Sequence, residues 1–136
     1  MRVDDEVVGR IRRGWMILLG VGPNDDEAAA AGLVDKIAGL RVFADQAGKM
    51  NLAAADAGAE FLVVSQFTLY ADTSRGRRPG FTGAAPPEVA EPLVERTVAM
   101  LRERGFTVAT GRFGADMAVE LVNDGPVTIV LGNDWG

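Results

Sequence analysis

The sequence predicts an α+β fold: a mainly antiparallel or mixed β-sheet carrying two main helices, all in one domain spanning residues 1–136. Three observations lead there. Apolar runs of strand character recur at 15–21, 60–70, 106–109, 117–122 and 127–131. Only two segments, 25–40 and 87–105, carry helical spacing. Between these elements stand turn residues such as Gly22-Pro23-Asn24 and Asn123-Asp124-Gly125-Pro126, so the strands join mainly through hairpins. A chain of 136 residues suits one domain with a real core.

Taken in order, EVVGRI (6–11) and WMILLGVG (15–22) read as a hairpin around Arg12-Arg13-Gly14, its second strand buried on both faces. Asn24 with Glu27 has capping-box spacing, so a helix should run from about 25 to 40, burying Ala29, Leu33, Ile37 and Leu40. Gly32 weakens that helix by about 1 kcal/mol relative to Ala. A short strand at 41–43 leads into the turn Asp45-Gln46-Ala47-Gly48. The strand EFLVVSQFTLY (60–70) follows, apolar first and then polar at Ser65, Gln66 and Thr68. Residues 71–87, with Gly76, Gly80, Gly83 and three prolines, read as a long ordered loop. Pro87 suits the first turn of the second helix, which should end at Gly105 with a stripe of Val89, Leu93, Met100 and Leu101. The strands at 106–109, 117–122 and 127–131 close the chain.

Composition narrows the chemistry. Hydrophobic residues are 48% and charged residues 24%, which is ordinary for a globular domain. There is no Cys and no His, which excludes disulfides, thiolate sites, cysteine nucleophiles and every imidazole base. A net charge of −5 disfavours a broad nucleic-acid-coating surface. The acidic run Asp4-Asp5-Glu6 near the start and the short apolar runs argue against a signal peptide or a membrane span, so a soluble cytoplasmic protein is expected.

Four segments combine a plain reading with a chemical one. Ser65-Gln66-Phe67-Thr68 is either sheet-edge hydrogen bonding or a donor-lined pocket in which Gln66 and backbone N–H groups hold an oxyanion. Gly125-Pro126 is either a plain turn or, if cis, a rigid element whose Gly125 carbonyl grips an ammonium group. Arg75, Arg77 and Arg78 form either a solvated loop or a phosphate contact. Phe113 and Met117 are either core filler or pocket wall. The carboxylates Asp72, Asp116, Glu120 and Asp124 lack metal-ligand spacing and suit solvated or capping roles.

Together these segments resemble the D-aminoacyl-tRNA deacylases, the D-tyrosyl-tRNA(Tyr) deacylase family. SQFTLYAD (65–72), RGRRPGF (75–81), TGRFGADM (110–117) and LVNDGPVT (121–128) stand in that family's order, as do GKMNL (48–52) and LLGVG (18–22). The resemblance covers essentially the whole chain. It implies a barrel-like sheet and a cytoplasmic homodimer with active sites near the subunit interface. It further implies hydrolysis of the ester joining a D-amino acid to tRNA, or glycine mischarged on tRNA(Ala), as proofreading in translation. No cofactor, metal, membrane or DNA partner is expected.

Carried over, Ser65, Gln66, Phe67 and Thr68 line the adenosine and the reacting carbonyl. Gly125-Pro126 enters from the partner subunit as a cis motif that binds the α-amino group and excludes an L side chain. Phe113 and Met117 help wall the pocket, while Arg75, Arg77 and Arg78 keep both readings, a solvated loop or tRNA-phosphate contacts. With no imidazole to activate Thr68, the tRNA 2′-hydroxyl, or water positioned by it, is favoured over a threonine nucleophile. Two departures stand out. The family's first strand, rich in Ile and Val and carrying an arginine, is absent before Val3, and Gly80 replaces a usual serine. The rival expectation is a non-catalytic module that binds tRNA or aminoacyl-adenosine after losing turnover with that strand.

Overall fold

The fold is built around β6 (Glu60–Ser65), whose EFLVVS sequence sends alternate side chains to opposite faces. The computed structural model describes residues 1–132. Phe61 and Val63 face one hydrophobic cluster, and Leu62 and Val64 face a second. On one side of β6 lies β3 (Gly14–Leu19), and on the other β7 (Val108–Thr110); both pair with it in parallel. Helices α1 (Glu27–Gly39) and α3 (Pro87–Glu103) cover the Phe61 face through Ala30, Val34, Val94, Val98 and Leu101. The opposite face is covered by the N-terminal segment through Met1, Val8 and Ile11, together with Met117 and Val119.

The smaller pieces are antiparallel. Strands β1 (Arg2–Val3) and β2 (Glu6–Val7) form a hairpin, and β4 (Phe43–Ala44) pairs with β5 (Met50–Leu52). A one-turn helix, α2 (Ala54–Ala57), leads into β6. The α+β class and both main helices therefore hold, with mixed pairing across the chain, while the three-stranded sheet itself is parallel. The described strands form three separate sheets, not the expected barrel-like one.

Three local expectations are corrected. Residues 6–11 do not pair with 15–21: the hairpin closes earlier across Asp4 and Asp5, both at positive φ (49° and 67°), the two-residue turn geometry that matches strand twist. Free of that pairing, β3 docks on β6, where Gly14 lies so close to the Glu60 carbonyl that any Cβ would collide with it. Nor is β3 buried on both faces, because it is the edge of its sheet and Leu18 stays exposed. The first helix is capped by Asp26, which accepts from the Ala29 N–H at 2.9 Å; Asn24 does not cap it. Asp25 accepts from the Gly22 N–H at 2.8 Å, closing a turn that delays the helix start. Its buried stripe accordingly centres on Ala30 and Val34, with Leu33 and Ile37 half-buried beside them. The expected strands at 117–122 and 127–131 are extended without ladders, except for one bridge between Arg2 and Ala118.

Candidate functional site

Because β3, β6 and β7 run parallel, their C-terminal ends meet at one edge of the sheet, the usual location for binding in open parallel sheets. The expected strand 60–70 stops there at Ser65. Ser65 is the last residue in register with Leu19, and the Gln66 N–H donates the final bond, to the Leu19 carbonyl at 2.8 Å. Beyond this point no neighbour strand remains, so the chain closes on itself. Leu69 N–H donates to Gln66 O at 3.3 Å and Ala71 N–H to Thr68 O at 3.1 Å, winding Phe67–Tyr70 into one 3₁₀ turn.

That turn puts the polar residues on an open rim, not in the core. Ser65 and Gln66 are half-buried, and Phe67 and Thr68 are exposed. The Gln66 side-chain amide donates to Thr68 Oγ1, joining two of the predicted site residues directly. The Thr68 oxygen is thereby used as an acceptor, which lowers its nucleophilicity and leaves its hydroxyl proton free to be donated. The Tyr70 ring lies over the Gly20–Gly22 backbone at the end of β3, where a side chain on either glycine would meet it.

Past the turn the chain forms a tight hairpin, 72–80. Asp72 and Gly80 exchange backbone bonds of 2.7 and 2.9 Å. Asp72 also accepts from the Ser74 hydroxyl (2.6 Å) and N–H (2.9 Å), and these bonds hold its carboxyl below the usual aspartate range. This bears out the capping role expected of Asp72. Arg75, Arg77 and Arg78 sit exposed on this hairpin, and none pairs with a carboxylate among the described residues. At its root Phe81 meets Phe67 edge-to-face, centroids 5.0 Å apart at 74°. Ala85 N–H then donates to Val21 O at 2.8 Å, tying the loop back to the end of β3. Phe81 and Tyr70 are contributions the sequence reading missed. No periodicity marks them, because their contacts are made across loops.

The other predicted residues gather less closely. Phe113 and Met117 both follow β7 but pack to opposite faces: Phe113 joins the Phe61 cluster and Met117 the Leu62–Val64 cluster. The Met117 sulfur lies 2.5 Å from where a Gly111 Cβ would stand, so a larger residue there would require the Met117 side chain to shift. The Gly125–Pro126 bond is trans, which corrects the cis expectation. Gly125 is exposed at φ +72° with no atom within 4 Å of a would-be Cβ, and nothing in the described residues bears on this turn to impose the cis form. Asn123 Oδ1 closes the turn by accepting from the Val127 N–H at 3.0 Å. Around it Leu121, Val122, Ile129 and Val130 are exposed, and an open trough of about 2210 Å³ separates this segment from β3 and α1.

Among the described residues no three acidic side chains gather as a metal site, and no helix is long and apolar enough to cross a membrane.

Comparison with known proteins gives a consistent picture. The family described as D-Tyr-tRNA(Tyr) deacylase matches residues 1–132. A D-aminoacyl-tRNA deacylase of Roseiflexus sp. (strain RS-1) is 61% identical over 129 residues, 95% of this chain and 83% of that protein. One from Symbiobacterium thermophilum is 59% identical over 132 residues, covering 97% and 87%. A solved structure described as c-Myc DNA Unwinding Element Binding Protein superposes with a TM-score of 0.90 at 38% identity, covering 97% of this chain and 90% of that one. A probable eukaryotic D-amino acid tRNA deacylase shares the fold at a TM-score of 0.66 and 15% identity, covering 74% and 75%.

Proposed function

The chain belongs to the D-Tyr-tRNA(Tyr) deacylase family, and from that premise we propose that it is a D-aminoacyl-tRNA deacylase whose chemistry is done at the sheet edge by Ser65, Gln66, Phe67 and Thr68. The observation that carries this reading is the hydrogen-bonded Gln66–Thr68 pair on a 3₁₀ turn directly after the central strand.

The substrate ester is already an activated acyl group, so the protein must orient it and stabilise the oxyanion of the tetrahedral intermediate. Backbone N–H groups at the turn and the Thr68 hydroxyl are donors for that oxygen, with Gln66 holding the hydroxyl in place. Thr68 is not the nucleophile in this mechanism: no imidazole exists to take its proton, and its oxygen already accepts from Gln66. Water positioned by the terminal 2′-hydroxyl of the tRNA attacks the carbonyl carbon instead, and the ester C–O bond breaks as the 3′ oxygen takes up a proton. The products are free tRNA and the D-amino acid, and glycine mischarged on tRNA(Ala) is accepted because it has no side chain to reject.

The working unit is a homodimer in the cytoplasm, where its substrate is made. The exposed Leu121, Val122, Ile129 and Val130 flank Gly125-Pro126 and favour burial against a second copy. Discrimination against an L side chain is by steric exclusion at the site that the second copy closes.

The test is single-turnover deacylation of D-Tyr-tRNA and L-Tyr-tRNA. Cleavage of the D-ester alone is expected. Equal cleavage of both overturns the chirality mechanism, and binding without cleavage makes the chain a binding module.

A further inference from the structure

We infer that the Phe67–Phe81 pair and the arginine hairpin form a second binding element, which grips the unpaired nucleotides just 5′ of the terminal adenosine of the tRNA. This rests on the deacylase reading above and extends it from the ester to the strand that carries it.

Three observations converge. The first is charge. In a chain of net charge −5, Arg75, Arg77 and Arg78 stand exposed within four residues of one hairpin, with no carboxylate partner among the described residues. Three guanidinium groups within four residues repel one another, and a phosphate strand relieves that repulsion through bidentate contacts.

The second is order. The hairpin is tied by the Asp72–Gly80 bridge and the Ser74–Asp72 bonds, and its two roots are held by Ala71 on Thr68 and Ala85 on Val21. A solvated loop with no ligand needs no such bracing, whereas a preorganised one loses less entropy on binding.

The third is the aromatic pair. Phe67 is 55% exposed although it belongs to the site turn, and its edge-to-face contact with Phe81 fixes the ring in place. Fixed aromatic faces beside arginines are what unpaired bases stack on, at about 1–3 kcal/mol per base, and a duplex offers no such faces. Phe67 therefore sits between two tasks. Its backbone belongs to the turn that holds the ester, and its ring begins the track for the strand. Phe81 acts through it as a positioning residue.

The test compares three probes: D-tyrosyl-adenosine, a D-tyrosylated RNA oligonucleotide ending in CCA, and an uncharged single-stranded DNA of the same sequence as competitor. The wild-type protein should cleave the oligonucleotide ester with a kcat/KM at least about tenfold above that of the nucleoside. Its salt dependence should be steeper too, by about 0.7 in log–log slope per phosphate contact. A variant with Arg75, Arg77 and Arg78 all changed to Ala should bring the ratio of the two rate constants towards unity and flatten the slope. Phe81→Ala should lower the same ratio, and Phe81→Tyr should restore it where Phe81→Leu does not. A purely structural role would lower both rates alike and leave the ratio intact.

Equal wild-type rates on nucleoside and oligonucleotide, or an unchanged ratio in the arginine variant, overturn the inference while leaving the deacylase reading standing. DNA competing as well as RNA reassigns the track to single strands in general and overturns the link to the tRNA end. Failure to cleave either ester overturns the deacylase reading itself.

Discussion

Residues 60–85 and residues 118–132 are made of similar material, yet the fold treats them in opposite ways. Both combine β-branched and apolar runs with a Gly/Pro turn: EFLVVS with the loop after it, and LVNDGPVTIVL. In the first, neighbours on both sides satisfy the strand, and the following loop is tied to the ends of β3 and to its own turn. In the second, only Ala118 is bridged, and Val122 and Val130 remain 89% and 61% exposed. Composition decides what a segment could bury; the presence of a partner decides whether it does. The first region carries its stability within the chain, while the second leaves its apolar side chains exposed.

The largest effect that would break this contrast is in the core. Phe61 is fully buried and meets Phe106 edge-to-face at 5.0 Å, so Phe61→Ala should cost about 3–5 kcal/mol in denaturant unfolding. Val130→Ser should change the stability of the monomer by no more than about 0.5 kcal/mol while weakening self-association measured by sedimentation. Comparable losses of monomer stability from both would show that the C-terminal segment is packed within the chain after all.

At the site, Gln66→Ala removes the group that orients Thr68 and should lower single-turnover deacylation no further than Thr68→Ala does. Thr68→Ala should retain substantial activity, because the hydroxyl is one donor among several. A drop to the uncatalysed rate in Thr68→Ala, with fold and tRNA binding intact, would instead make threonine the nucleophile. Smaller again, Asp26→Ala should cost about 1 kcal/mol by uncapping α1, whereas Asn24→Ala should be silent in the same unfolding assay.

How far the sequence could be read follows the same division. The two helices were legible because their signals are local: Pro87 opens α3 at its first position, and helical spacing marks the stripe of α1. The cap was misread by two positions because Asn24, Asp25 and Asp26 are all competent, and only the bond from Gly22 to Asp25 selects among them. Ser65 to Thr68 were legible as a polar end to an apolar strand. Where the strand stops was not, since Phe67 and Leu69 continue the alternation that Phe61 and Val63 begin. The parallel pairing of β3 with β6 was hidden for a different reason: a short apolar run fits a hairpin or a crossover equally, and Gly14 against Glu60 is a contact across 46 residues, 60 minus 14. The trans Gly125–Pro126 bond and the unladdered segment around it were not legible, because a Gly-Pro turn between apolar runs reads alike whether or not the runs find strand partners.

The smallest effect probes the bracing of the arginine hairpin. The Ser74 hydroxyl and N–H depress the Asp72 carboxyl below its usual range. A carboxyl depressed in the folded state contributes order that is fully present above its unfolded value and is lost as pH falls through the folded one. Because Asp72 is exposed, the effect on global stability should be near zero, and the readout is local. An NMR titration should place the Asp72 midpoint below that of an unperturbed aspartate, with the Ser74 amide shifting in step. Ser74→Ala should raise that midpoint and leave the unfolding transition where it was. Above the Asp72 midpoint the hairpin should therefore stay braced throughout the neutral range, so any pH dependence of the oligonucleotide preference near neutrality must come from another group. A midpoint at or above the ordinary value would mean that the Ser74–Asp72 bonds do not persist in solution, and the hairpin would then join the C-terminal segment as a region awaiting its partner.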